Sequence, residues 1–138
     1  MHAGKLLNIK FGFGVFLCAI LLAGCSLLTG GVRFPVWSLA GPLPEALVAG
    51  TLTNVGGCLR IVSVEHHVDH LLIWPESYTL QMVSPIRVLD EKLAPAAIEG
   101  QQVTLSGGES QTIEQLGPAV VQAAGSCGGP YWAVTGHR

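Results

Sequence analysis

The sequence predicts a mainly β fold, a small antiparallel barrel of the OB-like kind with one short helix before its last strand. Three observations carry that expectation. Short runs rich in Val, Ile, Leu, Thr and aromatic residues recur about every ten residues, separated by Gly, Pro and charged turn residues. Helical spacing of apolar residues occurs once, late in the chain. Two cysteines, Cys58 and Cys127, bracket most of these runs. Closing such strands into a barrel also removes exposed sheet edges.

The strand candidates follow in order. Residues 47–54 form the first, broken by Gly56-Gly57, and residues 58–64 the second. The polar stretch 65–70 reads as a hairpin connection. Residues 71–74 end at Pro75, and 78–83 extend them after a bend. Residues 86–89 are closed by the charged turn Asp90-Glu91-Lys92, and 102–105 alternate polar and apolar until Gly107-Gly108, read as a turn. Ile113, Leu116, Val120, Val121 and Ala124 then fall on one helical face. Pro118 suits a first-turn position and Gly125 a helix end, so the helix is expected over 118–124, with a turn before it. Residues 131–134 are the last strand.

The first 24 residues are of another kind. Lys5 and Lys10 precede an apolar run over 11–22 that closes on Leu22-Ala23-Gly24-Cys25. Twelve helical residues span about 18 Å, short of the roughly 30 Å hydrocarbon core, so the run suits a signal peptide rather than a membrane-spanning helix. The closing tetrapeptide resembles the bacterial lipobox. That resemblance implies cleavage before Cys25, lipid on the Cys25 sulfur and exposure on the exported side of a cell or outer membrane. Ser26 in place of an aspartate favours the outer membrane in a Gram-negative envelope. Each buried methylene contributes about 0.8 kcal/mol, so two or three acyl chains hold such a protein to the bilayer almost permanently. Residues 25–46, with Gly30-Gly31, Pro35, Gly41-Pro42 and Pro44, read as a tether. Phe34, Val36, Trp37 and Leu39 within it are expected to dock on the domain, which occupies 47–138.

Removing residues 1–24 takes away two lysines and leaves five Lys and Arg against all nine acids, a net charge near −4. That argues against nucleic acid or an anionic membrane surface as partner, since both need clustered basic side chains. The remaining 114 residues suffice for one domain burying roughly two-thirds of its unfolded surface. Of four cysteines, Cys18 leaves with the leader and Cys25 takes lipid. Cys58 and Cys127 remain in a compartment that oxidises thiols, and they read as one disulfide. A metal site is the alternative use, although neither cysteine has a neighbouring CxxC partner.

Gly57-Cys58-Leu59-Arg60, Leu72-Ile73-Trp74-Pro75, Gly107-Gly108-Glu109 and Cys127-Gly128-Gly129-Pro130-Tyr131-Trp132 resemble motifs of small bacterial secreted and lipoprotein domains of uncharacterised function. The likeness covers roughly residues 50–136. It implies a disulfide-closed β-domain and no particular activity.

One cluster has chemical promise. Glu65-His66-His67-Val68-Asp69-His70 places three imidazoles and two carboxylates within six residues, ligand types that suit zinc, copper or nickel. Metal binding by His66, His67 and His70 is the alternative to a solvated hairpin, which is the expectation. Trp74, Tyr78, Tyr131 and Trp132 are expected mainly in the core. At least one residue each of Leu72-Ile73 and Tyr131-Trp132 is expected to face outward, because adjacent strand residues point to opposite sides. No Gly-x-Ser-x-Gly elbow is present, and Gly107-Gly108 lacks the Gly-Lys-Ser/Thr ending that cradles nucleotides. The reading is therefore a non-enzymatic, membrane-anchored binding or structural module without a cofactor, held in the bilayer through Cys25 and facing an envelope protein partner.

Overall fold

The computed structural model describes residues 31–38, 45–63, 65 and 67–138. The segment expected to be a leader, Cys25, Leu39 and His66 lie outside them. The elements are β1 (Val36–Trp37), β2 (Ala46–Val55), β3 (Cys58–Val62), β4 (Asp69–Pro75), β5 (Thr79–Gln81), β6 (Arg87–Leu89), β7 (Pro95–Ile98), β8 (Gln102–Ser110), a 3-10 turn (Ile113–Leu116), α1 (Pro118–Ala124) and β9 (Tyr131–His137). The fold is mainly β, with one short helix before the last strand.

β2 and β3 form a two-residue hairpin. Val55 pairs with Cys58 across Gly56 and Gly57, whose φ angles of 60° and 85° lie where side chains are disfavoured. Asn54 Oδ1 accepts the Gly57 amide at 3.1 Å. Six strands then join in the order β1-β4-β3-β2-β8-β9, with β4 also bonded to β9. The pairings β2-β3-β4-β9-β8 thus return to β2 and close a ring of hydrogen-bonded strands. The expected all-antiparallel sheet is corrected to a mixed one: β4–β9 and β1–β4 are parallel. The reason is parity. Five strands cannot alternate direction all the way round a closed circuit, so at least one neighbouring pair must run the same way.

A second, three-stranded antiparallel sheet has the order β5-β6-β7. Its Ile86, Val88 and Ala97 share one buried cluster with Leu52, Leu59, Ile61, Leu72, Trp74, Leu105, Trp132 and Val134 of the first sheet. A second cluster lies on the opposite face of β4, where Leu71 and Ile73 meet Ile113, Val120, Ala124 and Cys127. β4 is therefore buried on both faces, as its unbroken apolar run requires. The expectation that Leu72 or Ile73 faces outward is corrected, because α1 and the 3-10 turn cover the outer side and both residues are fully buried.

Three further departures from the sequence reading have local causes. β8 does not stop at Gly107-Gly108 but runs through them to Ser110, with a register shift between Ser106 and Gly107. A Cβ at Gly107 would stand 2.1 Å from the Ala133 carbonyl oxygen, so the glycine serves close strand approach and not a turn. β7 was unforeseen, since Pro-Ala-Ala-Ile carries little β propensity of its own. Within the stretch read as a tether, β1 pairs in parallel with Trp74-Pro75. Trp37 Nε1 donates to the Val134 carbonyl at 3.0 Å, the expected docking of that segment.

Cys58 and Cys127 are disulfide-bonded, with Cα atoms 5.8 Å apart. Beside the bridge, Arg60 Nη1 bonds the carbonyl of Asp69 (3.1 Å) and its Oδ1 (3.0 Å). Arg60 Nη2 bonds the Gly128 carbonyl. The GCLR and CGGPYW segments are thus joined twice, once covalently and once through a guanidinium.

Candidate functional site

Among the described residues of the histidine hairpin the side chains do not gather. Glu65 and His67 are exposed, and His67 adopts a left-handed φ of 50°. Asp69 turns to Arg60. His70, on the opposite face of β4, is buried with its side chain only 8% exposed. It lies edge-on to Trp132, ring centres 5.7 Å apart. Neither ring nitrogen has a hydrogen-bond partner. Nε2 is 3.9 Å from Glu109 Oε1, too far for a hydrogen bond. Burial holds the imidazole below its ordinary value, opposed by the charges of Glu109 and Asp69 and reinforced by Arg60. Among the described residues no three His, Cys, Asp or Glu side chains come together at metal-binding distance.

A second polar constellation, which the sequence reading did not single out, is built across the two sheets. Tyr78 precedes β5, Asp90 follows β6 and His137 ends β9. Tyr78 Oη stands 3.1 Å from His137 Nδ1, and Asp90 Oδ2 stands 3.7 Å from His137 Nε2. Asp90 Oδ1 accepts the amides of Lys92 (2.8 Å) and Ala94 (2.9 Å), which shapes the turn. The Ala94 amide bond, then the Lys92 amide and the charges of His137 and Lys92, hold the Asp90 carboxyl low against some desolvation. The Tyr78 phenol is pushed up by burial and by Asp90 and Glu91. Tyr78 therefore keeps its proton, and its hydroxyl shares a hydrogen bond with Nδ1 of His137 whose direction follows the imidazole tautomer. Carboxylate, imidazole and phenol thus form a polar clasp between the sheets. The clasp borders a cleft of about 290 Å³ that also includes Ser77 and Thr135. No motif announces it, because Tyr78 and His137 are 59 residues apart and meet only through topology.

A larger open cleft, about 620 Å³, runs between β7 and the β2–β8 pair. Its lining includes Ala49, Gly50, Glu65, Gln102, Thr104 and Arg138, with His137 shared with the smaller cleft.

The aromatic residues divide as the core reading expects. Trp74 and Trp132 are buried, while Tyr78 and Tyr131 are half-buried, packed on the first and second cluster respectively. Cys58 and Cys127 are both consumed by the disulfide, which leaves no free thiol among the described residues. The chain matches no family model, no curated protein and no solved structure.

Proposed function

We propose that the protein is a bacterial envelope lipoprotein that acts by contact, a non-enzymatic module held to the exported face of a membrane through acylated Cys25. The closed ring of β2, β3, β4, β9 and β8 is read as a small OB-like barrel with the β5–β7 sheet packed on its interior residues. The observation that carries the proposal is Leu22-Ala23-Gly24-Cys25, preceded by a basic, apolar leader and followed by a β-domain. The Cys58–Cys127 bridge supports it, because such bridges persist in oxidising compartments. The larger cleft, an open groove lined largely by small and polar side chains, is a surface suited to contact. We rank this above metal binding by His66, His67 and His70, since His67 is exposed while His70 is buried against Trp132.

Two measurements test it. Mass analysis of the N-terminal peptide from native protein should show a diacylglyceryl mass on Cys25, and Cys25→Ala should leave the membrane fraction. An unmodified peptide, or undiminished sedimentation of the variant with membranes, overturns the anchor. Calorimetry with zinc or copper should show no site tighter than micromolar. A tighter site lost on joint alanine substitution of the three histidines would favour the metal reading.

A further inference from the structure

The larger cleft has the features of a binding groove for one kind of partner. Among the described residues β7 is an edge strand, bonded to β6 and to no strand on its other side. Val88 pairs with Ala97, and the Glu99 amide donates to the Ile86 carbonyl, so alternate residues from Ala97 onward face β6. The Ile98 amide therefore points away from it, on the edge where the Ile98 carbonyl already accepts the Gln101 amide at 3.0 Å. The ladder then passes from Ala97 to Pro95 as β6 moves from Val88 to Leu89, which leaves Ala96 as an extra residue with no opposite number. Ala96 and Ile98 both line the cleft. Its far side is small: Ala49, Gly50 and Thr104 leave room for a main chain to come close.

Charge is polarised across this groove. Glu65 follows β3, which flanks β2, while the Arg138 amide bonds the Thr104 carbonyl on the outer side of β8. An acid thus stands at one margin and Arg138, beside His137, at the other. Pro95 and the unpaired Ala96 limit how far pairing can spread along β7, which selects a short insert over open-ended association.

We infer that this groove takes a short extended segment of another envelope protein, laid against β7 as an added strand, with a basic residue toward Glu65 and an acidic residue toward Arg138. Main-chain bonds to an exposed edge supply affinity in such recognition, and flanking side chains supply choice. The inference rests on the contact-module reading and names the partner's chemistry.

The test pans a phage-displayed library of random dodecapeptides against the full-length lipidated protein in nanodiscs. Selected peptides should carry opposite charges at their two ends and shift the amide resonances of Ala96 and Ile98. Their binding should fall at least about tenfold with Ala49→Arg, which fills the groove from an exposed position, and stay unchanged with Ala119→Arg on α1. Arg138→Glu provides a second readout independent of packing: selection against it should lose the acidic end. The inference is overturned if no peptide is enriched, if selected peptides bind the Ala49→Arg and Arg138→Glu proteins as well as the parent, or if the groove instead mediates self-association that Ala49→Arg abolishes. Detergent-solubilised Cys25→Ala protein is panned in parallel. Peptide binding there without membrane retention of the parent would fail the anchor alone, and anchoring without peptide binding would fail the groove alone.

Discussion

The hydroxyl of Tyr78 and Nδ1 of His137 lie 3.1 Å apart, and this contact ties the three-stranded sheet to the last strand of the six-stranded one. The phenol ring also stacks on Trp74, centres 6.0 Å apart, so the residue links the polar clasp to the core. Tyr78→Phe keeps the ring and removes the hydroxyl. Because His137 is part-exposed and water can replace the lost partner, the cost should be about 1 kcal/mol in urea unfolding. The wild type should also lose stability as pH rises above the ordinary phenol value of 10.0, because the unfolded chain ionises first there. The variant should show a shallower alkaline loss.

The Cys58–Cys127 bridge closes a loop with a sequence separation of 69. On the chain-entropy model a loop of that size is worth about 4 kcal/mol. Joint alanine substitution of both cysteines should lower stability by about that amount, and non-reducing peptide mapping of the parent should recover the two cysteine peptides as one species. Arg60→Lys should be milder. The lysine retains one charge but cannot hold Asp69 and Gly128 with a planar fork, so about 1 kcal/mol should be lost, readable in the same unfolding curves.

Gly107→Ala is expected to be the most damaging single methyl in the sheet. The new Cβ would meet the Ala133 carbonyl oxygen at 2.1 Å and Trp132 Nε1 at 2.7 Å, at a φ of +155°. Main-chain atoms of β9 cannot yield without breaking the β8–β9 ladder, so at least about 2 kcal/mol should be lost. Gly128→Ala is the control: nothing lies within 4 Å of its Cβ position, and stability should change by less than about 0.5 kcal/mol. Thermal unfolding of the two proteins side by side decides it.

Gly107 also marks where the sequence stops being legible. Glycine pairs at 56-57 and 107-108 look alike in the chain. The first turns a hairpin and the second lets two strands approach, and only the neighbouring strand tells them apart. Signals carried within a few residues were readable: α1 between Pro118 and Gly125, the Asp90 turn, and the alternating start of β8. Signals that need a distant partner were not. The two-sided burial of β4 depends on α1, β7 has strand geometry because β6 supplies its partner, and the Tyr78–His137–Asp90 clasp forms only when both sheets are in place. The burial of His70, in a stretch expected to be a solvated hairpin, was hidden for the same reason, since consecutive strand residues diverge: Asp69 turns to Arg60 on one face while His70 enters the core on the other.

His70 is the residue through which acid should act on the fold. Its two ring nitrogens have no hydrogen-bond partner, and burial against Trp132 keeps it neutral. In the unfolded chain the same imidazole titrates near 6.5. Its contribution to stability is therefore fully present above that pH and is lost as pH falls through the lower folded value, because the unfolded state binds the proton first. Asp90 has the same sign in a separate window, beginning only near its ordinary value of 3.8. Glu109 opposes the loss: protonated His70 at 3.9 Å from its carboxylate gains an attraction that the neutral ring lacks. Glu109→Gln should therefore steepen the decline between neutral pH and about pH 5, whereas His70→Leu should abolish it. The leucine also removes two unpartnered nitrogens from an apolar setting, so its stability at pH 7 should equal or exceed the parent's by about 1 kcal/mol. Urea titrations of the three proteins at a series of pH values measure both effects. A parent curve that is flat from pH 7 to 5, or a His70→Leu protein that keeps the decline, would show that this imidazole is not the acid-sensitive group.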